Sequence, residues 1–522
     1  MNARHRRWVR RTCLGTLVLV CLLGVGAGTG TPHGEEPEED DWPMYGRNLR
    51  HTFSNPSSAI TPRTVSHLRP AWTFPTGDAV SASPTVVDGV VYVGSWDGFF
   101  YALAARTGRL MWTFQVDCDN AIVPVPPQCL APGEIPPARF FTDGGLITSS
   151  AAVVHGKVYF AAGKTLYSLN AADGSLIWKR VICGNPDDTN CAADPNDPTK
   201  IFSSPAIFEG FVFVGHTADG TVGYRGGFMA LDAKSGKPRW RFEVDPLLDA
   251  QDRVIGGQNR GCGNVWSSPA IDSEHRLVFF GTADCDSEPV SPYHQAVIAL
   301  ETVSGHLRWV FRPRETDPHR CDFDFGATPN VFDRGSNRYV GVGGKDGTYY
   351  VLHRLTDNPH GEVAWATNVV FGGMAGGFFG GAAFDGKHIF SATAIGDGNP
   401  FTQTGLCDAS NPRDTFIQEP SIHALDAASG DILWEGNLNH SFAPTSMAAG
   451  VLFSGVVGIE PPALNAYDAH TGKLLARFPL PGSVNSGATL VGTMLFVGSG
   501  NSSDGQGSGV HAFRLSREER DD

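Results

Sequence analysis

Eight cysteines beyond residue 30 bear most directly on chemistry: Cys118, Cys129, Cys183, Cys191, Cys262, Cys285, Cys321 and Cys407. A thiolate can hold a metal, attack a substrate or pair with a second sulfur. No Cys-x-x-Cys occurs, which excludes a zinc knuckle and a c-type haem attachment. An even number in a chain that starts like an exported protein favours disulfides. Cys118 with Cys129 and Cys183 with Cys191 lie close together inside Pro-, Asn- and Asp-rich insertions and are expected to staple those loops. Cys262 with Cys285 and Cys321 with Cys407 are the pairs that follow. Gly-x-Ser-x-Gly, Gly-x-x-x-x-Gly-Lys-[Ser/Thr] and Gly-x-Gly-x-x-Gly are all missing, which argues against esterase, phosphate-loop and dinucleotide chemistry.

The elements that must position any site are set by a repeat. Met229 to Trp240, Met-Ala-Leu-Asp-Ala-Lys-Ser-Gly-Lys-Pro-Arg-Trp, has close copies at Tyr101–Trp112, Tyr167–Trp178, Ile298–Trp309, Tyr350–Trp365, His423–Trp434 and Asn465–Ala476. Each copy reads as a strand, a turn with Gly where positive φ is needed, and a second strand ending on the aromatic. A second phrase precedes the first, as in Ser83-Pro84 to Gly94, Ser204-Pro205 to Gly215, Ser268-Pro269 to Gly281, Thr328-Pro329 to Gly341 and Pro444 to Gly455, and supplies two more strands. Four short antiparallel strands per unit predict an all-β, eight-bladed β-propeller, with tryptophan slots at 72, 112, 178, 240, 309, 365, 434 and 476. Trp72 comes before any complete blade and the last segment, Gly487 to Leu515, has no Trp after it. The two ends are therefore expected to share one blade.

Arg4, Arg6, Arg7, Arg10 and Arg11 precede an apolar run from Cys13 to about Val25, so residues 1–30 read as a signal peptide. That run is shorter than the roughly 20 residues that span a bilayer, which favours a cleaved leader over a stable transmembrane segment. A twin-arginine route through Arg10-Arg11 and lipidation at Cys21 stay open as alternatives. Residues 31–65 form an acidic linker and N-terminal segment, and 66–517 the propeller. Loss of residues 1–30 removes five arginines and no acids, taking the net charge from −14 to −19. So acidic a domain does not suggest nucleic acid or an anionic membrane as partner. Long departures from the repeat at Asp117–Asp143, Cys183–Lys200, Pro246–Cys262 and Gly396–Pro420 are expected to build or cover a binding face.

Trp42-Pro-Met-Tyr-Gly-Arg-Asn-Leu-Arg-His-Thr, the repeated Ala-Leu-Asp-Ala-x-Ser-Gly-x-x-x-Trp, and Cys321-Asp-Phe-Asp-Phe-Gly-Ala-Thr-Pro followed by Gly344-Lys345-Asp-Gly-Thr-Tyr-Tyr-Val-Leu resemble the quinoprotein alcohol dehydrogenases, and among them the polyvinyl-alcohol dehydrogenases. The resemblance spans about residues 42 to 515. It implies pyrroloquinoline quinone near the ring axis with a calcium ion against it, and oxidation of a small or polymeric alcohol. An exported enzyme, periplasmic or extracellular, with a separate electron acceptor such as a cytochrome c, goes with it. The haem segment of polyvinyl-alcohol dehydrogenases has no counterpart in the sequence.

On that pattern Asp322 stands where the family places its general base, and Lys345, twenty-three residues on, where a cation hydrogen-bonds the quinone oxygens. Trp266 matches the indole on which the cofactor lies, and Thr148 and Ser203 fall at further cofactor positions. Asp284 replaces the metal-binding asparagine, with Asp322 beside it; the metal-binding glutamate falls on Thr221, and Asp219 is the nearest substitute. Thr148 stands where an arginine is frequent, and Val222-Gly223 where paired cysteines are. Taken singly, Asp322 reads equally as a turn carboxylate, Lys345 as a turn residue and Trp266 as a core aromatic. A silent propeller that binds a partner at its funnel, like the quinoprotein-like assembly-factor lipoproteins of the outer membrane, is the alternative function.

Overall fold

The computed structural model describes residues 41–116, 147–187, 194, 197–218, 220–251, 253–285, 287, 289–314, 322–370, 372–373, 376–394, 420–436, 441–457, 461–500 and 506–516. The expected leader, Asp219, and every cysteine but Cys183, Cys262 and Cys285 lie outside these residues.

Eight four-stranded antiparallel blades follow one another, and in blades 1 to 7 the innermost strand comes first in the chain. Blade 1 is built from Thr85–Val87, Val90–Gly94, Phe99–Ala104 and Leu110–Gln115. The innermost strands of blades 2 to 7 are Ala152–Val154, Ala206–Phe208, Ala270–Asp272, Asn330–Arg334, Ala383–Phe384 and Ser446–Ala448. Blade 8 closes the ring as the tryptophan spacing requires. Its three inner strands, Thr489–Val491, Met494–Ser499 and Gly509–Leu515, are completed on the outside by Leu68–Pro75, with Trp72 paired to Ala512. An open edge is thereby replaced by a ladder between the two ends of the ring.

The repeat residues explain why blades stack. Seven tryptophans, 72, 112, 178, 240, 309, 365 and 434, each donate the indole N–H to a backbone carbonyl of the next blade, at Ala105, Ala171, Ala233, Thr302, Arg354, Ala427 and Ala469. The turn glycine of the receiving blade makes room: a Cβ on Gly236, at φ +66, would lie 2.5 Å from the Trp178 ring. Between the sheets the core is apolar and tightly layered, with Phe228 stacked on Phe280 at 4.0 Å and Phe100 on Phe160 at 4.2 Å. Nearer the axis, serine hydroxyls stitch one blade to the next. Ser83, Ser150 and Ser204 donate their N–H to Ser150, Ser204 and Ser268 Oγ, and Gly487 N–H reaches Ser83 Oγ.

Residues 42–55, which the repeats leave outside the blades, run round the lower end of the ring. Trp42 exchanges backbone hydrogen bonds with Val86; Pro43, Leu49, Arg50, Thr52 and Phe53 carbonyls accept from the N–H of Val153, Ile271, Val331, Phe384 and Met447. Ser54–Asn55 then pairs with blade 7, and the Asn55 amide donates to Leu490 O in blade 8. All seven partners are the second residue of their innermost strand. Blade 3 is reached through Met44 and Leu49, packed in the cluster that contains Ile207. This collar ties every blade to one segment.

Among the described residues no helix is long and apolar enough to cross a membrane. The departure at Pro246–Cys262 contains a hairpin, Pro246–Leu248 against Val254–Gly257, at the opposite end of the ring from the collar.

Candidate active site at the open end of the ring

The chain enters each innermost strand from the end opposite the collar, and the residue four before each strand start occupies an equivalent place: Ser81, Thr148, Phe202, Trp266, Gly326, Phe379, Phe442 and Asn485. Seven of them are partly exposed between buried neighbours, as lining residues of a central funnel must be. Gly326 is the exception, and its neighbour explains it. A Cβ there would fall 1.7 Å from the Trp266 ring, so the indole of blade 4 lies across the strand entry of blade 5. Phe379 continues the aromatic surface, 5.9 Å from Trp266 between ring centroids, and Phe442 meets Phe379 edge-on at 5.0 Å.

Three carboxylates, Asp284, Asp322 and Asp324, bring oxygens within 4.8 Å of one another beside this floor. Asp284 follows the second strand of blade 4, while Asp322 and Asp324 sit on the entry to blade 5. Lys345, in the turn between the second and third strands of blade 5, places Nζ 2.7 Å from Asp322 Oδ2 and 3.9 Å from Asp324 Oδ2. Its ammonium also lies 5.4 Å from the centre of the Phe379 ring. Asp322 adopts φ +49, a conformation a non-glycine residue keeps only where its surroundings hold it there.

The charges are poised against one another. Burial raises the Asp322 pKa well above the usual carboxylate range, Asp324 and Asp284 add to the rise, and Lys345 opposes it. A cation bound among these oxygens would act in the direction of Lys345 and favour ionised Asp322. The donor set is all oxygen, the chemistry that calcium and other hard cations require. The aromatic floor beside it suits a flat conjugated ring. The residues present thus fit both groups that the resemblance implies.

Asp324 is the residue that reasoning from the sequence did not single out, although it stands inside the quoted Cys-Asp-Phe-Asp-Phe-Gly. Its Oδ2 accepts the Trp266 indole N–H at 3.0 Å and its Oδ1 the Asp284 backbone N–H at 2.8 Å, while its own carbonyl accepts the Lys345 N–H at 2.9 Å. One residue therefore joins Trp266 and Asp284 through its carboxylate and Lys345 through its carbonyl.

Asp322, Asp284, Lys345 and Trp266 are brought together as the sequence suggests. Ser203 is not: it is fully buried, and its hydroxyl accepts Gly215 N–H inside its own blade, as Ser149, Ser267 and Ser486 do for Ala161, Gly281 and Gly498. Thr148 takes its place on the funnel ring in blade 2, and no contact among the described residues joins it to the carboxylates. Thr221 and Val222 are exposed. Cys262 and Cys285 form the expected disulfide, with Cα atoms 4.7 Å apart, and Cys183 is also disulfide-bonded.

The model of the glucose/ethanol/alcohol dehydrogenase β-propeller domain matches residues 42–365, and that of the outer membrane protein assembly factor BamB residues 418–514. The second stretch falls in blades that hold none of the three carboxylates. A polyvinylalcohol dehydrogenase of Pseudomonas sp is 26% identical over 88% of this chain and 73% of its own length. The quinohemoprotein alcohol dehydrogenase of Comamonas testosteroni is 24% identical over 78% of this chain but only 56% of its own. The crystal structure of the Comamonas quinohemoprotein alcohol dehydrogenase superposes with TM-score 0.69 at 20% identity, covering 92% of this chain and 81% of that one. A europium-containing methanol dehydrogenase gives TM-score 0.69 at 17% identity, covering 92% of this chain and 99% of that one.

Proposed function

Because the chain belongs to the glucose/ethanol/alcohol dehydrogenase β-propeller family, whose model spans well over half of it, we propose that it oxidises a primary or secondary alcohol, small or polymeric, with pyrroloquinoline quinone as cofactor. The observation that carries this reading is the Asp322–Lys345 pair, 2.7 Å apart, set among two further carboxylates beside an indole floor. When bound, the quinone supplies the two-electron acceptor and the cation a Lewis acid. The chain's own residues do the rest. Asp322 takes the hydroxyl proton of the alcohol on its carboxylate. Lys345 holds that carboxylate in place. Asp284 and Asp324 hold the cation, for which calcium is the proposal, and Asp219, two residues from Thr221 where the family has its metal-binding glutamate, is the candidate for a further ligand. Trp266 and Phe379 support the cofactor face, and Thr148, on the same funnel ring, is the candidate for its polar edge.

The family and the arginine-rich, apolar start of the chain support an exported enzyme, periplasmic or extracellular, that passes its electrons to a separate acceptor such as a cytochrome c. The decisive experiment adds quinone and calcium to the purified protein, reads the absorbance of bound cofactor, and measures alcohol-dependent reduction of a dye. Binding together with dye reduction is expected. Neither at micromolar quinone would sink the proposal.

A further inference from the structure

Two arms of blade 4 carry the parts of the site that lie nearest the disulfide. Cys262 stands four residues before Trp266 on the entry to the innermost strand, and Cys285 adjoins Asp284 on the turn after the second strand. Both cysteines are buried. Other bonds run beside the disulfide: Ala283 N–H reaches Asn264 O at 2.9 Å, Ser287 Oγ reaches Arg260 O at 2.7 Å, and Arg260 reaches Pro289 O at 2.6 Å. On the far side the same two arms meet again, because Asp324 accepts the Trp266 indole N–H with one oxygen and the Asp284 N–H with the other. The result is a closed loop: Cys262 to Trp266, across Asp324 to Asp284, and back through Cys285.

The two closures differ in kind. Asp324 is a carboxylate within 4.8 Å of two others and 3.9 Å from the Lys345 ammonium, so its grip depends on the balance of charge around it. The disulfide is covalent and indifferent to charge. If it were absent, the arms would be held at one end by hydrogen bonds and at the other by a carboxylate whose hold varies with the charges around it. We infer that the Cys262–Cys285 disulfide is a positioning clamp for the active site, fixing the indole floor and the Asp284 ligand relative to each other and thereby setting cation affinity. This rests on the reading of the site given above. It assigns the disulfide a local role, distinct from the general stabilisation of an exported chain.

The test compares the wild type with Cys262→Ser/Cys285→Ser and, to keep the buried site apolar, Cys262→Ala/Cys285→Val. Hydrogen exchange followed by mass spectrometry reads the two arms separately from the rest of the ring. Terbium, a hard-oxygen probe whose emission the adjacent Trp266 can sensitise, reads the carboxylates. In both variants, exchange in peptides covering 261–266 and 283–287 is expected to rise at least tenfold while peptides of blades 7 and 8 stay protected, and terbium affinity to fall at least tenfold. Unchanged exchange in the two arms, unchanged terbium affinity beside a wild type that binds it, or a rise in exchange through the whole ring would each overturn the clamp. A wild type that binds neither terbium nor quinone would instead sink the dehydrogenase reading, and the exchange data would still decide whether the disulfide acts locally.

Discussion

The two ends of the ring are made from the same eight innermost strands and could hardly differ more. At the base, one segment meets them all, six blades through backbone hydrogen bonds, blade 8 through the Asn55 amide and blade 3 by packing, and fills the space between with Trp42, Met44, Phe53 and Ile60, all buried. At the mouth, the residues that precede the same strands carry an indole, three phenylalanine rings and, within reach, three carboxylates and a lysine. The base is nearly uniform because seven of the eight blades offer it a main-chain N–H or carbonyl from the same strand position. The mouth is asymmetric because each blade offers it a different side chain. A propeller can hold an electrostatically costly site at one end when the other end is closed by bonds that ask nothing of side-chain identity.

If that division holds, a change at the mouth should alter chemistry and leave stability, and a change at the base should do the reverse. The largest effect is expected from Asp322→Asn, which keeps the shape and removes the proton acceptor. Dye-linked alcohol oxidation should fall by roughly 10²–10⁴ while quinone binding persists. Retained activity would move the base elsewhere. At the other end, Phe53→Ala empties a buried ring that packs so closely on Gly381 that a Cβ there would lie 2.4 Å away. Urea unfolding should show a loss of about 3–5 kcal/mol, with kcat unchanged under folding conditions. A fall in kcat at constant stability would break the comparison.

Acid should act on the base as well. His51, in the collar, is fully buried among Tyr45 and Phe53, and burial lowers its pKa to about 3, with a hydrogen bond to the Pro329 backbone opposing. The unfolded chain takes up this proton near pH 6.5 and the folded protein does not. The stability contributed by the neutral imidazole is therefore complete above about pH 6.5 and is lost as pH falls towards 3, by about 1.4 kcal/mol per pH unit. His216 and His511 shift the same way through burial, so the acid limb of the wild type should be steep. In His51→Gln the slope of urea midpoint against pH between 6 and 4 should be shallower by about one proton. An identical slope would show that His51 protonates without cost.

How far the sequence spoke for each end follows from what each end uses. The blades were legible because each repeat needs a tryptophan whose N–H reaches the next blade and a glycine against which that ring lies, so Trp240 and Gly305 leave a pattern that survives loop insertions. The collar left no such pattern, since its partners are main-chain groups of residues as different as Val86, Ile271 and Phe384. At the mouth, Asp322, Lys345, Trp266 and Asp284 were named through the resemblance to the quinoprotein alcohol dehydrogenases, because each stands in a stretch that carries it. Asp324 was not, because its importance lies in three N–H groups that come from three separate stretches of chain. Ser203 was misleading for the opposite reason. Its position is conspicuous in the repeat, but the repeat itself uses the hydroxyl.

The smallest prediction probes the belt of tryptophans between base and mouth. Trp365→Phe keeps an aromatic ring against Gly430 but removes the N–H that reaches Ala427 O at 3.2 Å, leaving a carbonyl of blade 6 without that donor. The loss should be about 0.5–1.5 kcal/mol, the net worth of one hydrogen bond. The slot between blades 7 and 8 offers the internal control, because Ala476 stands there where the other outer strands have Trp, and Ala466, its partner in the ladder, is fully buried without it. That junction is instead covered by Val65–His67 and by Leu68, which pack in the cluster that holds Ala466 and Ala476. Restoring the missing ring with Ala476→Trp should consequently gain nothing and should disturb the Val65–His67 turn, lowering the thermal midpoint slightly. A rise in the midpoint would mean that the closing blade docks by the same rule as the other seven.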